Sequence, residues 1–232
     1  MKKWELEAVL QEVELFRRPK VELEQYPTQP RLAAGVLWTL QQHFEAFEGK
    51  LVADLGCGSG MLSIGAVCLG AAHVIGFDMD PEALQIAVEN FASMELGADF
   101  SPVLCDVTRV RPLLQSHDDS DSELHTMEGV FDTVIMNPPF GTRTARADFH
   151  FLQVAFRLLR PGGSIYSMHK TSTRDFLAKK GREFGATVQL VAKLKFDVPK
   201  MYRFHKEKTK NIEVDLLRFH VPAVSKEPTE NS

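Results

Sequence analysis

An apolar run that stops at two prolines is the feature that most constrains this chain. Residues Phe131–Met136 are mostly apolar and rich in β-branched side chains, and Asn137-Pro138-Pro139-Phe140 follows them directly. Each proline removes a backbone donor and holds the preceding residue extended, so the run predicts a buried parallel strand that ends at Asn137. Open α/β sheets bind ligands at the carboxyl ends of such strands. Asn137 is therefore predicted to lie at a ligand-binding edge.

These four residues offer the groups that a planar amine needs. The side-chain oxygen of Asn137 and the carbonyl of Pro138 can accept two amine hydrogens, and the Phe140 ring can pack against a flat substrate or a cation. The candidate catalytic residues are therefore Asn137, Pro138, Pro139 and Phe140. The alternative interpretations are a proline-stopped strand with asparagine as a turn residue, and a Phe140 ring that only packs in the core.

A second predicted strand leads into a glycine-rich turn. Leu51–Leu55 runs into Gly56-Cys57-Gly58-Ser59-Gly60, and a helix is expected from Met61. Glycines let a backbone approach a ligand closely, and a helix amino terminus adds donors. The next strand ends in Asp78, about twenty residues further on, where a carboxylate accepts ribose hydroxyls. Asp106 follows the third strand in the same way. This βαβαβ half is predicted to bind a nucleotide-like ligand.

Glycine spacing alone does not separate a dinucleotide site from an adenosyl site. The turn lacks the third glycine at the spacing of the pyrophosphate-binding fingerprint. Asp54 also places a carboxylate where it repels a pyrophosphate and attracts a cationic amino acid end. The inferred cofactor is therefore S-adenosyl-L-methionine. The candidate cofactor-binding residues in these strands and turns are Asp54, Gly56, Gly58, Ser59, Gly60, Asp78 and Asp106.

Composition restricts the class of protein further. A chain of 232 residues with 44% hydrophobic and 25% charged residues suits a single α/β domain, expected over 1–220. The net charge of −4 argues against bulk attraction to nucleic acid, and three cysteines argue against a disulfide framework or a zinc site. No apolar segment is long enough to span a bilayer, and no metal is expected. Residues 108–129 are expected to form a flexible acidic loop and 221–232 a disordered tail.

Hydrophobic periodicity predicts an α/β fold with a seven-stranded, mostly parallel sheet and helices on both faces. Two alternating runs, 188–196 and 212–219, are expected to pair antiparallel at the far edge. The strands that end at Leu55 and Met136 are expected to be neighbours, so that their carboxyl ends flank one crevice. Residues 1–48 are expected to supply N-terminal helices and a loop that caps the donor. The first helical pattern ends at Pro19, and Thr28 is expected to cap the second helix.

A basic stretch between and within the last two runs is interpreted as an RNA-binding surface. Its seven cations stand against two acidic residues, Asp197 and Glu207, and aromatic side chains are interleaved with them. Cations track phosphates and aromatic rings stack on bases. The candidate RNA-binding residues are Lys193, Lys195, Lys200, Arg203, Phe204, His205, Lys206, Lys208 and Lys210. The alternative interpretation of this stretch is a solvated loop. The alternatives to an RNA methyltransferase are an enzyme with a protein glutamine as its substrate and a donor-binding scaffold without catalysis.

With both motifs identified, the chain resembles the class I, Rossmann-like methyltransferases that use S-adenosylmethionine. Residues 54–60 correspond to the donor loop and 137–140 to the amino-methyltransferase signature. Within that class the chain resembles the methyltransferase-like protein 5 family, which methylates adenine N6 in small-subunit ribosomal RNA. The resemblance reaches Phe219 and includes the segments 24–28, 137–142, 169–170 and 204–206. It departs in the acidic stretch 117–123 and at Ser59.

The resemblance carries implications for the site and for partners. It implies donor contacts from Gln25, Thr28, Gly56, Ser59, Asp78, Asp106 and Val107. It implies RNA as the substrate, and a small zinc-binding methyltransferase activator protein as an obligate heterodimer partner. It also implies localisation in the nucleus, including the nucleolus, and in the cytoplasm.

The family's sheet order implies where that partner binds. In this order the strand Pro102–Cys105 lies at an edge, with Phe91, Met94 and Leu96 of the preceding helix near the same side. Pro102 removes only one backbone donor, so the other groups of the strand stay open to pairing. The partner is expected to pair with this open edge because the strand lies beside apolar surface.

Overall fold

The chain is organised around a parallel sheet, which an antiparallel hairpin extends at one edge. The computed structural model describes residues 1–109, 127–140, 146–199 and 209–223. Its strands are Leu51–Leu55 (β1), His73–Asp78 (β2), Phe100–Leu104 (β3), Phe131–Met136 (β4), Leu159–Lys170 (β5), Thr187–Pro199 (β6) and Thr209–His220 (β7). The order across the sheet is β3-β2-β1-β4-β5-β7-β6, and among these strands β7 alone runs in the direction opposite to the other six. The predicted seven-stranded, mostly parallel sheet is confirmed.

Helices cover both faces of the sheet, as predicted. The described α-helices are Lys3–Gln11 (α1), Pro30–Phe44 (α2), Met61–Cys68 (α3), Pro81–Ser93 (α4), Ala147–Leu158 (α5) and Arg174–Glu183 (α6). Side chains of α1 to α4, such as Leu37 and Phe91, form the core on one face. Leu152 and Leu177, from α5 and α6, belong to the core on the other face. The sheet is therefore buried on both sides, which suits its continuous apolar strands.

The two strands that carry the sequence motifs are neighbours, as expected. Strands β1 and β4 have the predicted bounds and pair in parallel, with Leu55 opposite Met136. Gly56 and Asn137 are the residues that directly follow these two strands. The glycine turn and the proline motif therefore begin side by side at the carboxyl edge of the sheet. β3 lies at one end of the sheet and pairs only with β2 among the described strands.

The N-terminal helix is shorter than its periodicity predicts. Helix α1 ends at Gln11 rather than near Pro19, although Val13 beyond it is buried. Residues 12–29, here called the strap, connect α1 to α2. Their side chains contact other elements of the fold, and these contacts account for the apolar spacing although the segment is not a helix. The predicted capping role of Thr28 is also wrong, because Gln29 is the N-cap residue of α2.

Some expectations lie outside the described residues. Most of the predicted acidic loop 108–129 and most of the predicted tail 221–232 fall in 110–126 and 224–232. Within the described ranges, no helix combines the length and apolar character needed to cross a bilayer.

Candidate active site

A cavity of about 350 Å³ opens at the carboxyl ends of β1, β2 and β4. The strap forms one wall, and the glycine turn and the start of the proline motif form the others. The residues predicted to bind the cofactor that line this cavity are Gln25, Thr28, Asp54, Gly56, Gly58, Ser59, Asp78, Asp106 and Val107. Gly60, the N-cap residue of α3, is not in the lining, and it packs against Ala87 and Phe91 of α4. Asn137 and Pro139 line the same cavity, so the structure brings the two motifs together.

The glycine turn is held in shape by Asp78. The backbone N–H of Gly58 donates to Oδ2 of Asp78 at 2.8 Å, and the N–H of Asp80 donates to Oδ1 at 2.9 Å. Gly58 has a φ of 56°, and a Cβ there would lie 2.8 Å from the Phe16 ring of the strap. Burial raises the pKa of Asp78, and the backbone N–H donors oppose that rise. Only glycine fits this conformation beneath the strap.

Asp54 brings a buried carboxylate to the cavity wall. Its Oδ2 accepts a hydrogen bond of 2.6 Å from the Ser63 hydroxyl, while Oδ1 has no hydrogen-bond partner in the described part of the chain. The residue is 1% exposed, and burial raises the pKa of its carboxyl to about 7, with a smaller contribution from the nearby charge of Asp78. A buried oxygen without a donor is costly unless a ligand supplies one. Asp54 therefore suits a ligand that carries a cationic group.

Asn90 of α4 ties the strap to the glycine turn. Its Nδ2 donates to the carbonyl oxygens of Ser59 and Glu14, both at 2.9 Å, and its Oδ1 accepts from the N–H of Glu14 at 2.9 Å. The side chain is 4% exposed. Three hydrogen bonds thus satisfy one buried amide and fix both the donor turn and the start of the strap. Asn90 was not among the predicted site residues, although a polar side chain on the apolar face of α4 was a usable signal.

The second half of the strap is anchored at the start of α4. Gln25 is buried, accepts from the N–H of Lys20 at 2.8 Å, and donates to Asp80 at 2.7 Å. Asp80 caps α4 by accepting from the N–H of Glu82, and it pairs with the Lys20 ammonium at 2.6 Å. Although burial acts to raise the pKa of Asp80, the donors Lys20 and Gln25 together lower it. Gln25 lines the cavity, but its amide is engaged in protein contacts.

Asn137 has one end of its amide fixed and the other open. Its Nδ2 donates to the Thr28 hydroxyl at 3.0 Å, while its buried Oδ1 has no hydrogen-bond partner among the described residues. The strap therefore orients the amide so that its acceptor is available. This is the polar atom that the sequence interpretation assigns to the substrate amine.

The other two residues of the proline motif do not belong to the cavity lining. Pro138 and Phe140 are buried and absent from the cavity lining. The Phe140 ring packs edge-on against Phe196 of β6, with centroids 5.8 Å apart, and the Lys170 ammonium lies 6.0 Å from its centroid. This packing is the alternative that the sequence left open for Phe140, and its stacking role stays a prediction.

The predicted RNA-binding surface is described only in part. Lys193 and Lys195 are exposed on β6, and the backbone of Lys210 belongs to β7. The candidates Lys200, Arg203, Phe204, His205, Lys206 and Lys208 lie outside the described residues. In the part of the chain that the structure describes, no group of three His, Cys, Asp or Glu side chains could hold a metal ion.

The sheet order, the glycine turn after β1 and the acidic residue at the end of β2 define a class I, Rossmann-like methyltransferase. The chain is 43% identical to the rRNA N(6)-adenosine-methyltransferase METTL5 of Danio rerio, over 94% of this chain and 99% of that protein. It is 45% identical to the rRNA N(6)-adenosine-methyltransferase Mettl5 of Drosophila melanogaster, over 93% and 95%. The chain belongs to the METTL5 family of rRNA N6-adenosine-methyltransferases.

Two further similarities bear on the fold and on the donor half. The crystal structure of PH1948 from Pyrococcus horikoshii, described as a candidate RNA methyltransferase, has a TM-score of 0.76 at 35% identity, over 96% of this chain and 98% of that one. The family model described as ribosomal protein L11 methyltransferase (PrmA) matches residues 34–116. That match spans the glycine turn and Asp78, and it stops before Asn137.

Proposed function

We propose that the protein transfers the methyl group of S-adenosylmethionine to the N6 amine of an adenosine in small-subunit ribosomal RNA. The unpartnered Oδ1 of Asn137, in the wall of the cavity that the glycine turn forms, carries this proposal. An acceptor at this point fits an amine hydrogen. The family to which the chain belongs supports adenosine in rRNA as the source of that amine.

The residues around the cavity fit S-adenosylmethionine. The unpartnered Oδ1 of Asp54 suits the cationic amino acid end, and the remaining lone pairs of the Asp78 carboxylate suit the ribose hydroxyls. Gly56 and Gly58 have positive φ values, and a Cβ at either would meet a ring that lines the cavity, Phe151 or Phe16. When bound, the cofactor supplies an electrophilic methyl group on a sulfonium. Asp106 and Val107 line the cavity beyond the end of β3 and complete this set.

Asn137 addresses the difficult part of the reaction. An adenine amine is a poor nucleophile because its lone pair is delocalised into the ring. Acceptors on its two hydrogens, namely Oδ1 of Asn137 and the Pro138 carbonyl, favour the pyramidal nitrogen that attacks. Such contacts strengthen as positive charge develops on the nitrogen, so they stabilise the transition state more than the bound substrate.

Positioning supplies much of the remaining rate enhancement. Pro138 and Pro139 fix the backbone beside the amine, and the strap holds the Asn137 side chain through Thr28. A target base must leave its stack to reach this point, and we assign the stacking face for it to Phe140. The basic residues from Lys193 to Lys210 are assigned to the RNA backbone.

Nucleoside analysis tests the proposed reaction. The protein, co-expressed with the small zinc-binding activator, is incubated with labelled S-adenosylmethionine and either ribosomal RNA or ribosomal protein. Mass spectrometry then examines the digested RNA for N6-methyladenosine and the digested protein for N5-methylglutamine. We expect label in that nucleoside for the wild type and a loss of about 10²- to 10³-fold for Asn137→Ala, with donor affinity retained within a few fold. Label in N5-methylglutamine of ribosomal protein instead would establish the alternative substrate. Absence of transfer to both would establish a donor-binding scaffold.

The open edge of β3 supports the expected heterodimer with a small zinc-binding activator. Leu104 is 63% exposed, and β3 pairs only with β2 among the described strands. Of the residues expected nearby, Phe91 is buried and stacks on Phe100 of β3, so it stiffens the edge instead of contacting a partner. Val103 packs partly against the core. The exposed side chain of Leu104 is therefore the better position for a test.

A charge at this edge tests the partner proposal. We expect Leu104→Lys to prevent a stable heterodimer upon co-expression with the activator, and to leave the fold intact. Leu190→Lys on β6, at the opposite edge, is the matched control, because Leu190 is also an exposed apolar residue on an edge strand. Light scattering reports the mass of each complex. A heterodimer that survives Leu104→Lys unchanged, or a fully active soluble monomer, would contradict the proposal.

We also propose the nucleus, including the nucleolus, and the cytoplasm as the sites of residence, because ribosomal subunits are assembled and used there. Fluorescence microscopy of the tagged protein, with a nucleolar marker, tests this. Confinement to any other compartment would contradict it.

A further inference from the structure

A second groove, of about 390 Å³, lies between the N-terminal helices and the hairpin edge of the sheet. Lys3 of α1, Arg31 of α2 and Lys195 of β6 line it, and its described lining includes no acidic residue. All three cations are exposed, and none makes an ion pair with a described residue. This concentration of positive charge contrasts with the net charge of −4 for the whole chain.

The floor of the groove is apolar and reaches the proline motif. Leu32, Leu194 and Phe196 lie among its lining residues. The Phe196 ring also contacts the Phe140 ring, with centroids 5.8 Å apart. At the strap side, Gln29 lines the groove and follows Thr28, the residue that holds Asn137. The groove therefore adjoins the catalytic motif through two separate connections.

Lys3 packs against the Gly35 face of α2. A Cβ at Gly35 would lie 3.6 Å from the Nζ of Lys3, an ordinary contact distance, so the ammonium lies next to this turn of the helix. Lys195 of β6 has an acidic residue, Glu213 of β7, directly opposite it in the antiparallel pair. Glu213 is not part of the groove lining. The three cations are thus available to an anionic ligand.

We infer that this groove binds the RNA strand next to the target adenosine, with phosphates at Lys3, Arg31 and Lys195 and a base or sugar on the apolar floor. The inference rests on the proposed function, and it extends the RNA-binding surface to α1 and α2. A groove with cations at its rim and an apolar floor matches single-stranded RNA, which presents regularly spaced anions and flat bases.

Removal of the three charges tests the groove directly. The variant Lys3→Ala/Arg31→Ala/Lys195→Ala is compared with Lys50→Ala/Lys179→Ala/Arg182→Ala, which loses the same charge at the amino end of β1 and on α6. Both are measured as full chains by fluorescence anisotropy, with a labelled single-stranded RNA that contains one adenosine. We expect the groove variant to bind about 10- to 100-fold more weakly, and its salt slope to fall by about 0.7 for each phosphate that is no longer neutralised. The control variant should bind within about twofold of the wild type.

Photocrosslinking locates the strand independently of charge. A 4-thiouridine beside the target adenosine should crosslink to peptides from 29–39 or 192–196, with S-adenosylmethionine affinity unchanged in the groove variant. Equal losses of RNA affinity in both triple variants, or crosslinks confined to other segments, would overturn the inference. If the wild type makes N6-methyladenosine while the groove fails these tests, the proposed function stands alone. If RNA binds the groove but no adenosine is methylated, only the proposed function fails.

Discussion

The amide nitrogen of Asn90 donates to the carbonyl of Ser59 at 2.9 Å, which couples helix α4 to the donor turn. The same amide pairs with both backbone groups of Glu14 in the strap. One buried side chain therefore sets the separation between the floor and the cover of the donor cavity. Asn90 is a positioning residue, because it acts on the donor through Ser59 and the strap.

Asn90→Asp should weaken donor binding with little change in turnover at saturating donor. The substitution keeps the size of the side chain but replaces the amide nitrogen with an oxygen, which faces two carbonyls. Each buried group left without a partner costs about 1–3 kcal/mol, so calorimetry should show about 10- to 100-fold lower S-adenosylmethionine affinity. Gln85→Glu, on the exposed face of the same helix, is the control. Unchanged affinity in Asn90→Asp would remove Asn90 from the donor site.

Thr28→Val should lower turnover more than it lowers donor affinity. The valine keeps the shape of the side chain and removes the hydroxyl that holds Nδ2 of Asn137. Loss of one hydrogen bond corresponds to about a two- to tenfold decrease in the single-turnover rate. Thr28→Ser retains the hydroxyl and should recover most of the rate. A serine variant as slow as the valine variant would show that the methyl group, and not the hydroxyl, matters.

Asp54 should make donor affinity depend on pH. Since burial raises its pKa to about 7, the carboxyl loses its proton only when the pH rises to neutrality. A cationic ligand prefers the ionised form, so S-adenosylmethionine affinity should increase between about pH 5.5 and 7.5 and then level off. Calorimetry across this range should show a flat and weaker profile for Asp54→Asn. An equally steep profile in the variant would assign the titration to another group.

The same carboxyl should lower the stability of the protein without donor at neutral pH. Its folded pKa lies above the ordinary value of 3.8, so the stability it contributes is present in acid and is lost as the pH rises towards 7. Urea unfolding should therefore find Asp54→Asn more stable than the wild type near neutrality, by a few kcal/mol at most. The difference should shrink towards about pH 4. A variant that is less stable at every pH would contradict the buried-charge account.

His169 should have the opposite effect on stability. Burial lowers the pKa of this imidazole from 6.5 to about 3, and its Nε2 lies 2.6 Å from the Ser167 hydroxyl. The stability it contributes is present above about pH 6.5 and is lost as the pH falls towards 3, because the unfolded chain binds the proton first. Urea unfolding between these values should show a smaller acid-induced loss for His169→Gln than for the wild type. If the stabilities of the wild type and the variant fell in parallel with decreasing pH, the protonation of His169 would not differ between the folded and unfolded states.

The strands of the sheet were predictable because they depend on local sequence patterns. The structure of the strap and the partners of its side chains were not, because they depend on long-range contacts. Strands β1 and β4 have the expected bounds because their apolar runs are stopped by glycine and proline, which act within a few residues. The first part of the strap, up to Pro19, has a helical pattern but forms no helix, because its order depends on contacts such as Glu14 with Asn90, 76 residues away. The role of Gln25 could not be foreseen either, since its amide is bound to Asp80, 55 residues away. Hydrophobic periodicity indicates which side chains are buried, but it does not indicate which residues they contact.

The position of β7 has a consequence for when the protein becomes competent during its synthesis. Phe140 packs against Phe196 of β6, yet among the described strands β6 pairs only with β7, which is inserted between β5 and β6. A nascent chain that has not yet released residues 209–220 from the ribosome therefore has no strand on which to seat Phe196. We therefore expect the catalytic motif to acquire its packing partner late in folding, after the donor half has emerged.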